Sequence, residues 1–329
     1  MTNHPEHLDI HDSGGPPAGI LSFQDTENNG TSAMVTIMQD IPTFGIAGRI
    51  WDSSYAIDIF LRRPSSQYTF TPSCPIPHEY FIDASNTANC SNRGEQSLDP
   101  IRIVELGAGT GYVGIALAKR LRSSCTVVLT DLEEVIPLLE KNVRDNIDQK
   151  VLDSCSDSIN SPIPKSTSST PPELGSSQRS CAKVEVKPLA WGNSTHAEKI
   201  LAQGRVDYIV ASDLVYFPEL YPPLLETLKE VTDLETRIIF GYKERAHWKE
   251  LPFWEQFGRF FKFEVVRIEK NRPSTDPHQS NESDDEESLK IFGSEEDMFV
   301  FIAKKRRDEE ILAGVDDTLT TLMMMQIRY

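Results

Sequence analysis

The chain has 329 residues, 39% of them apolar, and its 50 acidic against 33 basic side chains leave a formal net charge of −17. That length allows one large domain or two small ones with apolar residues enough for a core, and that charge disfavours a protein that grips nucleic-acid phosphates over a broad surface. The five cysteines are widely spaced without a C-x-x-C pair, so neither a zinc site nor a disulfide framework is signalled, and no apolar run approaches transmembrane length. With a polar N-terminus that lacks a signal core, the natural compartment is the reducing cytoplasm, with the nucleus as the alternative.

Residues 1–30 read as a disordered tail in which His4, His7 and His11 have no core residues around them. An apolar pattern then runs through Met34, Val35, Ile37, Ile41, Phe44, Ile46 and Ile50, read as a strand pair. It leads into a helix from Trp51 to Leu61, with Asp52 or Ser53 as the cap and Ala56, Ile57, Phe60 and Leu61 toward the core. Residues 63–99 lack periodicity and read as a long surface insert. A strand at 101–106, a helix at 112–122, a strand at 126–131 and a helix at 133–146 follow, the last with Val135, Leu138, Leu139 and Val143 on one face. A second insert, Ser/Pro-rich and expected to be disordered, covers 152–182.

Strands at 184–191 and 206–213 come next, then a helix from near Pro218, a strand at 236–242, a helix at 248–260 and a strand at 261–268. A third insert at about 271–295 carries the acidic run 281–287 and precedes a last strand at 297–303. The basic run Lys304 to Arg307 reads as a solvated strand end, and 307–329 as a C-terminal tail. Alternating strands and helices imply a Rossmann-like α/β domain over 31–306, with helices on both faces of a seven-stranded, mostly parallel sheet. The final two strands, with no helix between them, are expected as a C-terminal antiparallel β-hairpin, which is not the usual dehydrogenase layout.

The most informative stretch is Ile101 to Gly114, a buried strand entering a glycine-rich turn and then a helix. Read from Gly109, with Gly111 and Gly114, it spells the dinucleotide pattern G-x-G-x-x-G, a weak match alone. Read from Glu105 it is E-x-G-x-G-x-G, ending in Gly107, Gly109 and Gly111. An acidic side chain there repels a pyrophosphate and attracts an ammonium group; S-adenosylmethionine carries an ammonium and a sulfonium and no phosphate. A plain strand–helix turn is the bland alternative.

Ligands in such sheets sit beyond the carboxyl ends of the strands, where Glu105, Asp131, Trp191 and Asp213 collect. Asp131 is placed either to accept from ribose hydroxyls or to cap the next helix. Trp191 has the choice of lying against adenine or packing in the core, and Trp51 of closing the cofactor pocket or packing. Asp213 and Tyr216 stand three residues apart just past a buried strand and can converge on one pocket. A lysine acceptor, with a free pKa of about 10.4, has to be neutral to attack, and burial near a sulfonium lowers that value. Asp213 then positions the amine and Tyr216 helps orient it; the alternative has Asp213 capping a helix and Tyr216 packing.

The set V-E-L-G-A-G-T-G (104–111), T-D-L (130–132), L-A-W-G (189–192) and A-S-D-L-V-Y (211–216), with G-R-I-W-D (48–52) upstream, resembles the seven-β-strand lysine methyltransferases of the methyltransferase-like twenty-one group, methyltransferase family 16. The resemblance spans about 34–306 outside the inserts. It implies cofactor contacts at Trp51, Gly107, Ala108, Gly109, Asp131, Trp191 and Ser212, the last a position often Ala or Cys in the family. It also implies that Tyr242 to Arg245 borders the substrate entrance. The resulting expectation is an S-adenosylmethionine-dependent protein-lysine N-methyltransferase working by direct in-line displacement, without a metal. Glu105 joins the cofactor site, and Asp213 and Tyr216 carry the acceptor side. The partner is a protein bearing the target lysine, a translation elongation factor (elongation factor 1A) first, a chaperone or ATPase otherwise; a monomer is expected, with no membrane. Three readings stand beside it. A base methyltransferase tends to carry an N/D-P-P-Y/F motif, where this chain has Leu214 and Val215; a non-catalytic module keeps the fold alone; an NAD-dependent oxidoreductase differs in its cofactor.

Overall fold

The computed structural model describes residues 18–23, 34–62, 68–82, 98–147, 181–271 and 290–326. The three N-terminal histidines, most of the second insert and the acidic run 281–287 lie outside the described residues.

Strand β1 (Ala18–Phe23) pairs antiparallel with β2 (Val35–Asp40), Ala18 opposite Asp40 and Phe23 opposite Val35. This corrects the sequence reading twice: a strand stands inside the stretch expected to be disordered, and the partner of β2 lies upstream of Met34. Only α1 (Ile41–Phe44) and a 3-10 turn at Gly45–Gly48 follow β2 where a second strand was expected. Pro42 opens α1, and the Asp40 carboxylate accepts from the Thr43 N–H at 3.1 Å, so local capping wins over strand pairing. Helix α2 (Asp52–Phe60) has Trp51 at its cap position without a side-chain bond; Asp52 pairs with Lys243 instead. Within the first insert, β3 (Tyr68–Thr71) is a strand, and Ile76, Tyr80 and Phe81 are buried.

The sheet elements follow as β4 (Ile101–Leu106), α3 (Tyr112–Arg120), β5 (Cys125–Asp131), α4 (Ile136–Asn146), β6 (Lys183–Pro188), α5 (Ser194–Leu201), β7 (Tyr208–Ser212), α6 (Tyr221–Val231), β8 (Arg237–Lys243), α7 (His247–Phe260) and β9 (Phe261–Val265). Then come β10 (Arg267–Lys270), β11 (Lys290–Ile291), β12 (Met298–Lys305), α8 (Asp308–Leu312) and α9 (Thr318–Gln326). The seven-stranded sheet runs β6-β5-β4-β7-β8-β12-β9. Its first five strands are parallel, and β12 is antiparallel to both β8 and β9. The expected antiparallel C-terminal pair is therefore present, with the last strand in the inner position. The single strand expected over 261–268 is two: the chain leaves the sheet at Val266, and β10 joins β3 and β11 in a separate three-stranded sheet.

Alternation splits the side chains of β4 between two cores. Ile101 and Ile103 face one core with Val113, Leu117 and Ile57, while Val104 and Leu106 face the other with Leu224, Leu228 and Phe253. A strand buried on both faces has to sit at the centre of such a sheet. The second core is dense in rings around Trp254, whose centroid lies 4.8 Å from that of Phe301.

The C-terminal stretch is not a loose tail. Leu322 of α9 is buried, and a Cβ at Gly258 of α7 would fall 1.5 Å from the Thr318 hydroxyl, so the glycine admits α9 against α7. The basic run before it is solvated only in part, with Lys304 and Arg307 exposed and the two residues between them engaged. Arg306 is buried, donates from Nε to Gly258 O at 2.8 Å and pairs with Asp317, and Lys305 donates to the carbonyls of Lys229 and Thr232. Among the described residues no helix is long and apolar enough to cross a membrane.

Two asparagines on α4 hold β2 in place. Asn146 accepts from Thr36 N at 2.8 Å and donates to Thr36 O at 2.6 Å. Asn142 repeats this on Met38, at 2.9 and 3.1 Å, and spends its remaining N–H on Thr110 O at 2.8 Å. Four helical residues rise about 6 Å and two strand residues about 6.6 Å, so amides at i and i+4 meet alternate peptides and stand in for a neighbouring strand. Truncating Asn142 strands several buried partners, each worth about 1–3 kcal/mol. Denaturant unfolding is expected to find Asn142→Ala less stable by about 3 kcal/mol, and Lys141→Ala, which breaks only an exposed pair with Asp145, by less than about 0.5 kcal/mol.

Candidate active site

The carboxyl end of β4 opens into the glycine turn. Glu105 lies on the same side of the strand as Ile101 and Ile103, facing α3, and is 2% exposed. Gly114 on α3 makes room for it: a Cβ there would lie 2.3 Å from Glu105 Oε2 and 2.2 Å from Leu129. The Gly114 N–H donates to that oxygen at 2.9 Å. Gly114 thus serves packing and the carboxyl group, not a third step of a dinucleotide turn. Gly107 and Gly109 have φ of 58° and 54°, left-handed values that favour glycine. A Cβ at Gly107 would meet Leu214 at 2.7 Å and Trp191 at 3.0 Å, and one at Gly109 would meet Ala47 O at 2.9 Å.

Asp131 ends β5 beside this turn. Its Oδ2 accepts from Gly109 N at 2.7 Å and its Oδ1 from Leu132 N at 2.7 Å. It therefore braces the glycine turn rather than capping the helix that follows. Burial pushes the Asp131 carboxyl up to about 6, with these two hydrogen bonds offsetting part of the rise and Glu134 adding to it. Burial pushes Glu105 from 4.5 up to about 8, against the Gly114 hydrogen bond and with the Asp131 charge adding. Two buried carboxyl groups thus share one site on neighbouring strands.

Above the turn lies a cavity of about 320 Å³, within the range of small-molecule sites. Glu105, Gly107, Ala108, Gly109, Asp131, Trp51, Trp191, Ser212, Asp213 and Tyr216 all line it. The sequence reading is thus brought together at one place from four strand ends and the segment before α2. Trp51 donates from Nε1 to Ile46 O at 2.9 Å, and the guanidinium groups of Arg49 and Arg245 lie 5.0 and 5.5 Å from its ring centre. Trp191 is half-buried in the turn after β6, its loop tied down by Gly192 N donating to the Thr227 hydroxyl at 2.8 Å. Ser212 shares hydroxyl hydrogen bonds with Ser54 at 2.9 Å and Ser53 at 3.3 Å on α2.

Asp213 sets aside the capping alternative, since it caps no helix, and its carboxylate has a partner of its own. Its φ is 61°, rare outside glycine, its N–H still reaches Gly241 O at 2.9 Å, and its carboxylate is held by Arg245 through two bonds of 2.7 Å. Tyr216 is half-buried, its ring 4.8 Å from that of Phe217 and 6.5 Å from that of Trp191. Burial raises its phenol well above the usual value, and the charges of Asp131 and Asp213 add to this. Arg245, Arg49 and Ser54 are not singled out as site residues by the sequence, and Ser53 only as a helix cap. Arg245 stood inside the segment linked by resemblance to the substrate entrance, which was the available signal.

The family profile described as lysine methyltransferase matches residues 29–158 and 175–260. Protein N-lysine methyltransferase METTL21A of Danio rerio is 26% identical over 231 residues, covering 70% of this chain and 76% of that protein. EEF1A lysine methyltransferase 3 of Xenopus tropicalis is 29% identical over 185 residues, 55% of this chain and 66% of that protein. Protein-lysine N-methyltransferase EFM6 of Saccharomyces cerevisiae is 26% identical over 179 residues, 51% of this chain and 58% of that protein.

The buried carboxyl groups have a thermodynamic signature. The folded-state value of Glu105 lies above its unfolded value, so the unfolded chain ionises first. The stability Glu105 contributes is fully present below 4.5 and is lost as pH rises through about 8. Across that window the melting temperature of the ligand-free chain is expected to fall. Glu105→Gln is expected to flatten the curve and to melt higher than the parent chain at its alkaline end. Scanning calorimetry at a series of pH values checks this, and equal slopes for both proteins would contradict it.

Proposed function

The chain belongs to the lysine methyltransferase family, whose methyl donor is S-adenosylmethionine, and from that premise we propose that the cavity over the glycine turn is its active site and that its substrate is a translation elongation factor. The observation that carries the site is the convergence of Glu105, Asp131 and Asp213, from the ends of three parallel strands, on one cavity. The name of the Xenopus tropicalis relative supports the choice of substrate. A chaperone or ATPase is the second choice. The same reading has the chain work as a monomer in the cytoplasm or nucleus.

The residues present fit the cofactor. Gly107 and Gly109 line the cavity without a side chain of their own, and a buried carboxyl pair suits a cationic ligand better than a pyrophosphate. Glu105 would meet the ammonium group, Asp131 the ribose hydroxyls, and Trp191 the adenine. Trp51 would close the pocket, and Ala108 and Ser212 would line it. When bound, S-adenosylmethionine supplies an electrophilic methyl group on a sulfonium.

The chain's own part is to bring up a neutral amine and align it. With an ordinary pKa of about 10.4, lysine is protonated at neutral pH. The apolar cavity wall and the Arg49 guanidinium beside Trp51 disfavour the charged form, so the proton leaves to solvent before attack. A carboxylate is too weak a base to take that proton efficiently. Asp213 therefore orients the amine through lone pairs left over from Arg245, with the Tyr216 hydroxyl beside it.

Calorimetry with S-adenosylmethionine and with NAD tests the cofactor: heat is expected with the first alone. Incubation with methyl-labelled cofactor and cell lysate tests the acceptor, and the labelled band names the substrate. Asp213→Asn is expected to slow labelling by about 100-fold, the scale of a lost alignment. Label on RNA rather than protein, or an Asp213→Asn chain as active as the parent, would overturn the assignment.

A further inference from the structure

Arg245 does more than follow β8. Its guanidinium holds both oxygens of Asp213 at 2.7 Å, stands 5.5 Å from the centre of the Trp51 ring and donates to Lys243 O at 3.2 Å. Its own N–H reaches Glu250 Oε2 at 3.3 Å, an oxygen fixed by the Tyr242 hydroxyl at 2.5 Å. One side chain thus links two residues of the cavity wall, the left-handed residue that follows β7 and the tryptophan that precedes α2.

We infer that Arg245 is a positioning residue for methyl transfer, holding Asp213 and Trp51, both on the cavity wall, in register from behind. This rests on the reading of Asp213 as the group beside the acceptor amine. The Asp213 side chain is 2% exposed while that of Arg245 is 34% exposed, so the pair closes a buried carboxylate from the solvent side. A planar fork fixes the plane of a carboxylate as a single ammonium does not. It also changes what the acceptor meets. An ionised carboxylate has about four lone-pair sites, and Arg245 takes two. The remaining sites accept from an N–H and orient it. A carboxylate whose charge is already matched draws an incoming ammonium far less than a free one, so the neutral amine that attacks is not penalised. The left-handed backbone at Asp213 turns the carboxylate off the alternation of β7 and toward this partner.

The test is a double-mutant cycle with two readouts. Arg245→Met, Arg245→Lys, Asp213→Asn and the double Arg245→Met/Asp213→Asn are compared for S-adenosylmethionine affinity by calorimetry and for the rate of label transfer to the lysate protein that the parent chain marks. Arg245→Met is expected to lower the rate by at least about tenfold while the cofactor Kd moves by less than about threefold. Arg245→Lys recovers part of the rate, because it restores charge without the fork. The double variant is expected to be no slower than Asp213→Asn alone, since Arg245 acts through Asp213. Should Arg245→Met fail to bind cofactor because an unpaired carboxylate unfolds it, the double variant and Arg245→Lys carry the comparison. A rate for Arg245→Met within about twofold of the parent, losses that multiply in the double variant, or a Kd that rises in step with the rate loss each overturn the inference. A parent chain that binds cofactor and labels no protein overturns the underlying reading and the inference with it, whereas a labelling parent with an indifferent Arg245→Met overturns the inference alone.

Discussion

A carboxyl group buried at the end of a strand that is itself buried on both faces is the constraint on which the site depends. Side-chain alternation along β4 fixes Glu105 on the α3 face, away from water. Once it is there, the first turn of α3 has to carry a residue without a side chain, because a Cβ at Gly114 would lie 2.3 Å from Glu105 Oε2. The turn between strand and helix then runs close over the carboxyl group, and its peptides are braced from the next strand by Asp131. The glycine pattern, the position of Asp131 and the raised proton affinity of both acids are therefore one arrangement seen from different residues.

The N-terminal segment joins this arrangement through Asn142. Its amide binds Met38 on β2 and Thr110 in the glycine turn. β2 leads through α1 and the tight turn at Gly48, where a Cβ would strike Asp40 O at 2.2 Å, to Arg49 and Trp51 on the cavity wall. The wall and the turn thus share one side chain. A change in the height of the glycine turn would be felt at Met38, and through it along the path to Trp51.

Much of this was legible in the sequence where burial is complete on both faces. β4, β5 and β7 announce themselves as apolar runs ended by acids or glycines, and their ends place Glu105, Asp131 and Asp213 together. Legibility fails where elements are half-exposed. In β1, Leu21 and Phe23 are only partly buried and Ile20 is 70% exposed, so composition reads as tail. α5 buries Ala197 and Ile200 alone, too few to show a helical face. β3, β10 and β11 pair over a few residues each, and nothing local foretells partners so far apart in the chain. Arg306 and Lys305 look like a solvated end because their acceptors are carbonyls on other elements. The Arg245–Asp213 pair is hidden for the same reason: two charges 32 positions apart carry no period. The left-handed backbone of Asp213 has no sequence signal outside glycine.

The inner position of β12 has a consequence for how the molecule comes into being. The chain is made in order, so β8 and β9 both exist before the strand that fits between them. Until β12 arrives, β8 presents an open edge, and the rings of Phe240 and Trp254 lack Phe301 on that side. A newborn chain is thus exposed to misdirected pairing along β8 for the time it takes to add the stretch from β9 to β12. Because the entropy of closing a loop grows only with the logarithm of its length, the third insert adds little equilibrium cost. What it lengthens is the interval in which the sheet has a gap rather than an edge.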